Sequence, residues 1–380
     1  MKLSRSARLS GMAIAGALAL AACGSDNNSS SSSTSGAAAA SGSSSTSAAA
    51  LTGSLNGEGS TAQKNAIDQA IATFTQANAN AKVSYNATGS GAGIKQFNAG
   101  QVDFAGSDSA LKTTPAAGAS TSEQQDATKR CMGNPAWNLP MVVGPIAVAY
   151  NLSGVSKLVL TPDVIANIFN GKVTTWNDPS IQKINSGASL PSTKISVFYR
   201  SDSSGTTENF QKYLKGAAPS AWPYDPSKTW PAKAGQGAAK STGVAQGVKS
   251  TDGGVGYVEW SNAKDLKLGI AQVDNGGGAV ELTADSAGKA ISAATVTGTG
   301  NDLVLKLDYS TKQPGVYPIV LVTYEIVCSK GLDAAKTTLL KGFLNALASS
   351  DYQTSFVDIG YAPLPAEIQT KVTAAIAAIS

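Results

Sequence analysis

Apolar positions recur along this chain in two periods, and the two alternate. Ala66, Ile67, Ala70, Ile71 and Phe74 repeat at helical spacing, and Ser60 and Thr61 before them suit an N-cap. Lys82 to Ala87 follows with Val83 and Tyr85 on one face, the pattern of a strand. A helix is expected over Ile94 to Ala99, then a short strand over Val102 to Asp108 that ends in a polar loop. Leu139 to Asn151 is an apolar run interrupted by Pro140, Gly144 and Pro145, and suits a strand crossing between domains. Val164 to Phe169 reads as helix and Ile195 to Tyr199 as a strand ending at Arg200. Ser203 to Thr207 opens a helix whose apolar face is Phe210, Tyr213 and Leu214. Gly254 to Trp260 and Tyr317 to Cys328 read as strands, the second long enough for another crossover. Leu339, Leu340, Phe343, Leu344 and Leu347 mark one closing helix, and Ile368, Val372, Ala375, Ile376 and Ile379 the other. Such alternation predicts an α/β class with largely parallel sheets.

Two N-terminal stretches stand outside this alternation. Lys2, Arg5 and Arg8 precede an apolar run from Met12 to Ala22, too short to span a bilayer but fitting a signal-peptide core. The run stops at Leu20-Ala21-Ala22-Cys23, the pattern of a bacterial lipobox, in which the cysteine is lipidated and becomes the new N-terminus. An ordinary secretory signal is the alternative. The lipid would hold an exported protein at the outer face of the cytoplasmic membrane. Gly24 to Ala50 is nearly all Ser, Ala, Gly, Thr and Asn with no apolar period, so 23–50 is expected to be a lipidated, disordered tether. The folded body is expected from Leu51.

Composition removes several chemistries. The 380 residues include no histidine, which excludes a Ser-His-Asp or Cys-His pair, an HExxH zinc site and a histidine pH switch. A formal charge of +4 is too small and too dispersed to suggest nucleic acid as a partner. Three cysteines are present. With Cys23 taken by lipid, Cys131 and Cys328 remain, an even number in an exported protein, which favours a disulfide over two separate buried thiols.

The polar loops share one chemistry. Gly57 to Thr61, Thr88 to Gly93, Gly106 to Asp108 and Arg200 to Thr206 are small-residue segments at strand-to-helix junctions. Helix N-termini present unpaired N–H groups, glycines admit close approach and hydroxyls add donors, so such loops suit an oxyanion. For any one of them alone, N-capping and turn formation are the better explanation; several together, with one arginine beside them, favour the oxyanion. The sharper enzymatic templates fail. Residue 88 is Thr where a nucleophile elbow needs Gly, Ala239 stands where a P-loop needs Gly, and no acidic cluster has metal-loop spacing.

Three segments, Thr88-Gly-Ser-Gly-Ala-Gly-Ile-Lys-Gln96, Gly100-Gln-Val-Asp-Phe-Ala-Gly-Ser-Asp108 and Arg200-Ser-Asp-Ser-Ser-Gly-Thr206, together resemble the substrate-binding lipoprotein of the phosphate ABC transporter. Gly171 to Pro179, Gly253 to Glu259 and Tyr317 to Ile319 match the same family, in the family's order, across roughly 51–380. The resemblance implies a two-lobed periplasmic binding protein fold of type II. Two crossover segments would join lobe I (51–142 and 319–380) to lobe II (143–318). It implies phosphate held dehydrated in the cleft and handed to a membrane permease, with no enzymatic step and no cofactor. Matched residue by residue, Thr61 and Ser90 offer hydroxyls, Asp108 the carboxylate that contacts phosphate, and Arg200 the facing guanidinium. Asp202 orients that arginine, and Ser204, Gly205 and Thr206 are helix-start donors. Ala62 departs from the family, which has an aromatic residue there; the backbone N–H it contributes remains. A carboxylate in an anion site suits a ligand carrying its own proton, which fully ionised sulfate lacks. The alternatives are another tetrahedral oxyanion such as sulfate or molybdate, or a surface adhesin or signalling lipoprotein.

Overall fold

The computed structural model describes residues 50–380. The signal segment, Cys23 and all of the tether except Ala50 lie outside the described residues. The strands are β1 (Gly53–Gly59), β2 (Ala81–Ala87), β3 (Phe104–Ser107), β4 (Ala136–Asn151), β5 (Val159–Leu160), β6 (Ser196–Arg200), β7 (Gln236–Ala238), β8 (Gly254–Glu259), β9 (Gly269–Ile270), β10 (Gln272–Asp274), β11 (Ala279–Val280), β12 (Thr295–Val296), β13 (Leu305–Lys306) and β14 (Val320–Cys328). The helices are α1 (Lys64–Ala77), α2 (Ser90–Asn98), α3 (Glu123–Arg130), α4 (Pro162–Phe169), α5 (Pro179–Ile184), α6 (Gly205–Ala217), α7 (Lys240–Ser250), α8 (Trp260–Asp265), α9 (Ala284–Ser292), α10 (Ala334–Ala348), α11 (Ser350–Ser355) and α12 (Ala366–Ala377).

One sheet organises the molecule, in the order β2-β1-β3-β14-β4-β8-β6-β7, with β9 also on β4. Its flanks are parallel: β1 lies between β2 and β3, and β6 between β7 and β8. Its centre is antiparallel, through β3–β14, β14–β4 and β4–β8. The sheet is therefore mixed rather than largely parallel, because the two long apolar runs enter it as neighbouring, opposed strands. Strand β4 pairs with β14 up to Pro145 and with β8 from Ile146 onward, so a single strand carries the chain from one half to the other. Burial on both faces is why its sequence, and that of β14, is apolar at most positions instead of alternating.

Proline shapes the centre. Pro140 has no N–H to give to the ladder, and the register slips beside it: Thr323 faces Val142 while Tyr324 faces Pro140. The slip falls between Thr323 and Tyr324.

Each half has its own aromatic core. Phe104 and Phe74 both pack on Phe343 of α10 in one, and Phe169, Phe210, Trp230 and Tyr257 pack together in the other. The Cys131–Cys328 disulfide is formed, and it ties the end of α3 to the end of β14. No helix among the described residues is long and apolar enough to cross a membrane.

Two expected helix starts move. Helix α1 begins at Lys64 with Gln63 as its cap residue, which frees Ser60 and Thr61 for other work. Helix α2 begins at Ser90, four residues before the apolar stretch that signalled it, so Gly91 and Gly93 lie in its first turn. Gly93 is needed there because a Cβ would stand 2.4 Å from Gly59 Cα.

Candidate functional site

The four polar loops converge. They leave the ends of β1, β2, β3 and β6, and all seven residues singled out as ligand-binding are buried or inside the first turn of a helix. The two halves touch directly at this point. Gly91 N donates to Ser203 O at 3.1 Å, Thr61 Oγ1 and Ser241 Oγ lie 2.7 Å apart, and Asn209 Nδ2 donates to Asp108 O at 2.7 Å. Gly205 lies so close to the first half that a Cβ would sit 2.7 Å from both Asp108 Cβ and Ser90 Oγ. Gly89 adopts φ +108, and a Cβ there would strike Asp202 Oδ2.

Asp108 sits at the middle and is 3% exposed. Its Oδ1 accepts from the Ser60 hydroxyl and from Thr323 Oγ1 at 2.8 Å. Its Oδ2 accepts from Ser90 Oγ and Thr206 Oγ1, each at 3.2 Å. Thr206 has one hydroxyl proton, and the carboxylate of Glu259 takes it in a shorter bond of 2.6 Å. Oδ1 is thus firmly held while Oδ2 keeps spare accepting capacity. Burial pushes the Asp108 carboxyl above the usual aspartate range, and Glu259 adds to this. The hydroxyls of Ser60 and Thr323 and the charge of Arg200 offset part of the rise.

Arg200 is the cation of the site, and it is 2% exposed. Its Nε donates to Asp202 Oδ1 at 2.8 Å, its Nη2 to Asp202 Oδ2, and its Nη1 to Ser241 Oγ at 3.2 Å. Burial works against the guanidinium charge, but the two-pronged bond to Asp202 outweighs it and holds the pKa above the ordinary value. Asp202 is correspondingly lowered: burial opposes this, and Arg200 and the Lys240 N–H overcome it. The fork leaves Nη1 as the arm that reaches into the loops.

The helix-start residues divide their roles. Ser204 is the N-cap of α6 and spends its hydroxyl on Thr207 N at 3.2 Å. The N–H groups of Gly205 and Thr206, at the first two helical positions, have no intrahelical acceptor. Ala62 is also engaged locally, its N–H donating to Ser60 Oγ at 3.0 Å.

A family model described as a PBP superfamily domain matches residues 27–351. Over 384 aligned residues, the full length of both proteins, the chain is 44% identical to phosphate-binding protein PstS 3 of Mycobacterium tuberculosis. The chain belongs to the PstS family of phosphate-binding proteins. A more distant PstS, from Xylella fastidiosa, is 31% identical over 327 residues, 84% of each protein. A solved high-affinity periplasmic phosphate-binding protein, bound with phosphate, superposes with a TM-score of 0.66 at 23% identity, covering 85% of this chain and 93% of that one. That likeness speaks for the fold.

In this PstS chain, sequence reasoning missed five polar residues of the site: Ser60, Ser241, Tyr257, Glu259 and Thr323. Tyr257 accepts from Arg200 N at 3.0 Å and positions the arginine's strand end. Glu259 is fully buried and also accepts from Asn262 Nδ2 at 3.4 Å. Two of the five had visible signals. Ser241 lies in the glycine-containing segment Gly235 to Thr242, set aside because it fails as a P-loop. Thr323 is one of only two strongly polar residues in β14, the other being Glu325.

Proposed function

We propose that this chain captures inorganic phosphate outside the cytoplasm and delivers it to a phosphate ABC transporter permease. The observation that carries the reading is the asymmetric carboxylate of Asp108. Ser60 and Thr323 pin one oxygen; the other faces Ser90 and Thr206 with capacity to accept. A ligand that brings both acceptor oxygens and an O–H satisfies both sides. Ser90 can turn its hydroxyl proton to the anion while Thr206 stays bonded to Glu259, and Asp108 Oδ2 then accepts the ligand's proton. Arg200 and the N–H groups of Gly205 and Thr206 supply the positive side. Phosphate carries such a proton near neutral pH and sulfate does not.

The lobe boundaries belong to this proposal: 51–142 with 319–380 as lobe I, and 143–318 as lobe II. The change of partner along β4, from β14 to β8 at Pro145/Ile146, supports them. The bonds that join Thr61 to Ser241 and Gly91 to Ser203 would then break on opening, as hinge closure requires. Export under the N-terminal signal and anchoring through lipid on Cys23 would keep the protein beside its permease. The role is binding and release, with no covalent step.

Titration calorimetry with phosphate and with sulfate tests the proposal. The expected result is one phosphate per chain at about micromolar affinity or tighter, with sulfate much weaker. Absence of phosphate binding overturns the function, and equal affinity for the two anions removes the role given to Asp108.

A further inference from the structure

Behind Asp108 lies a second polar cluster that the capture site does not use. Glu325 stands two residues along β14 from Thr323, opposite Gly106 of β3. Gly106 has no side chain, and the space above it is filled by Gln63 Nε2 and the Tyr85 hydroxyl, each 2.3 Å from where a Cβ would stand. Glu325 and Gln63 are both fully buried. Neither oxygen of Glu325 and neither polar atom of Gln63 has a hydrogen-bond partner. The Gln63 amide is near enough to favour the charged carboxylate. Such groups are rare in folded proteins and expensive when charged.

The surroundings decide which form is cheaper. Burial, opposed in part by Gln63 and assisted by the charge of Asp108, pushes the Glu325 carboxyl up to about 8. The ionisable groups that face this cluster are Asp108 from the end of β3, Tyr85 from β2 and, next to Tyr85, Glu58 from β1. Tyr85 is itself held well above its ordinary value by burial and by Glu325, so it stays neutral, and its hydroxyl donates to Ser60 O at 2.9 Å. No cation among the described residues offsets a charge on Glu325. A short chain of contacts links this pocket to the site: Tyr85 to the Ser60 carbonyl, and the Ser60 hydroxyl to Asp108.

We propose that Glu325 is a proton-binding site linked to phosphate occupancy, so that the affinity of this chain for phosphate falls as Glu325 ionises. The inference rests on the phosphate reading of the adjacent site. Near neutral pH, Glu325 carries its proton and adds no charge behind Asp108. As the pH rises, a second negative charge appears on the same side of the anion and repels it. By reciprocity, a bound anion makes the Glu325 proton harder to remove, so binding at about pH 8 to 9 takes up protons. A coupling of about one pKa unit corresponds to about a tenfold loss of affinity across the transition.

The test compares phosphate affinity of the wild-type chain and of Glu325→Gln at several values from about pH 6.5 to about pH 9.5. Glutamine has the shape of the protonated acid, so the pocket stays filled. Phosphate's own ionisation is common to both proteins and cancels in their ratio. The expected result is a wild-type affinity that falls about tenfold more than the variant's above about pH 7.5. Superimposable pH profiles overturn the inference and leave phosphate binding standing. Absence of phosphate binding by the wild type overturns the functional reading, and the inference falls with it. Should the variant fail to fold, the wild type alone decides. Calorimetry in buffers of different ionisation enthalpy at about pH 8.5 must show more proton uptake per phosphate than the anion's own equilibrium supplies. Equality of the two overturns the inference.

Discussion

Replacing Asp108 by asparagine tests the selection of the anion most directly. The change removes one charge and keeps the shape. Asparagine can still accept from Ser60 and Thr323 through its carbonyl oxygen, which leaves its NH2 facing Ser90 and Thr206. For phosphate, the loss is one charge-assisted O–H···O bond, about 1.5–3 kcal/mol. That figure is already net of the repulsion between the two oxygens, which the shared proton screens. The affinity for phosphate should therefore fall by less than about a hundredfold. Sulfate experiences the opposite change. At about 4 Å and an effective dielectric near 20, a carboxylate repels an added negative charge by about 4 kcal/mol. Removing it should strengthen sulfate binding by up to about three orders of magnitude. The preference for phosphate over sulfate should thus collapse while tight binding partly survives. Calorimetry with both anions at one pH and one ionic strength reads this, with circular dichroism and melting curves to establish that the variant is folded. A selectivity ratio within about threefold of wild type would falsify the role assigned to Asp108.

The remaining predictions concern the cation, the seam between the halves, and the disulfide. Arg200→Ala leaves Asp202 without its partner and should weaken every oxyanion by at least about a hundredfold, measured by calorimetry; unchanged binding would remove Arg200 from the site. Glu208 is fully buried on α6 and is bound by Ser109 Oγ at 3.0 Å, by Lys212 Nζ at 2.9 Å and by Lys112 Nζ, which joins the segment after β3 to α6. Burial opposes ionisation, but Lys212 and Lys112 hold its carboxyl down to about 2. A depressed acid stabilises the fold above its unfolded value, and that contribution is lost as the pH falls through the folded one. Both lysines are partly solvated, so about 1–2 kcal/mol should disappear between about pH 4.5 and pH 2 in the wild type and be absent in Glu208→Gln, read by denaturant unfolding. A wild-type stability no more acid-sensitive than the variant's would sink this reading. Cys131 and Cys328 are 197 positions apart and each 1% exposed. Changing both to Ala should cost about 2–5 kcal/mol in guanidinium unfolding, the chain-entropy ceiling for so long a loop being near 5. Native protein should show neither thiol without reductant; a loss below about 1 kcal/mol would mean the bridge closes a contact that holds without it.

The layout of the chain was largely legible in its residues. Local periodicity located the two long apolar strands β4 and β14, the α6 helix behind Ser204 and the closing helices α10 and α12, because a buried face must repeat with the geometry of its own element. The weaker elements were not legible. Helices α3 and α7 bury few apolar residues, Ala127 alone in the first, and so carry little periodic signal. The parallel bias failed for a different reason: strand direction in the centre of the sheet depends on where β14 returns, and no local pattern records that.

By itself, the sequence marked which polar loops sit at strand ends, since Gly, Ser, Thr, Asp and Arg have short-range reasons to be there. It also determined that no histidine titration could tune the site. Only the tertiary structure decided what each polar atom faces. Thr61 meets Ser241 across 180 positions, Thr323 reaches Asp108 across 215, and Glu259 takes a proton that Thr206 would otherwise share with Asp108. The same holds for Glu325, one acid in an apolar strand until Gly106 and Gln63 are seen to enclose it. A hydrogen bond is specified by the geometry of two groups, and the chain states only one of them at a time. Residue types therefore pointed to the proposed anion site, while the pairing of donors, acceptors and buried acids that would select its ligand arose from the fold.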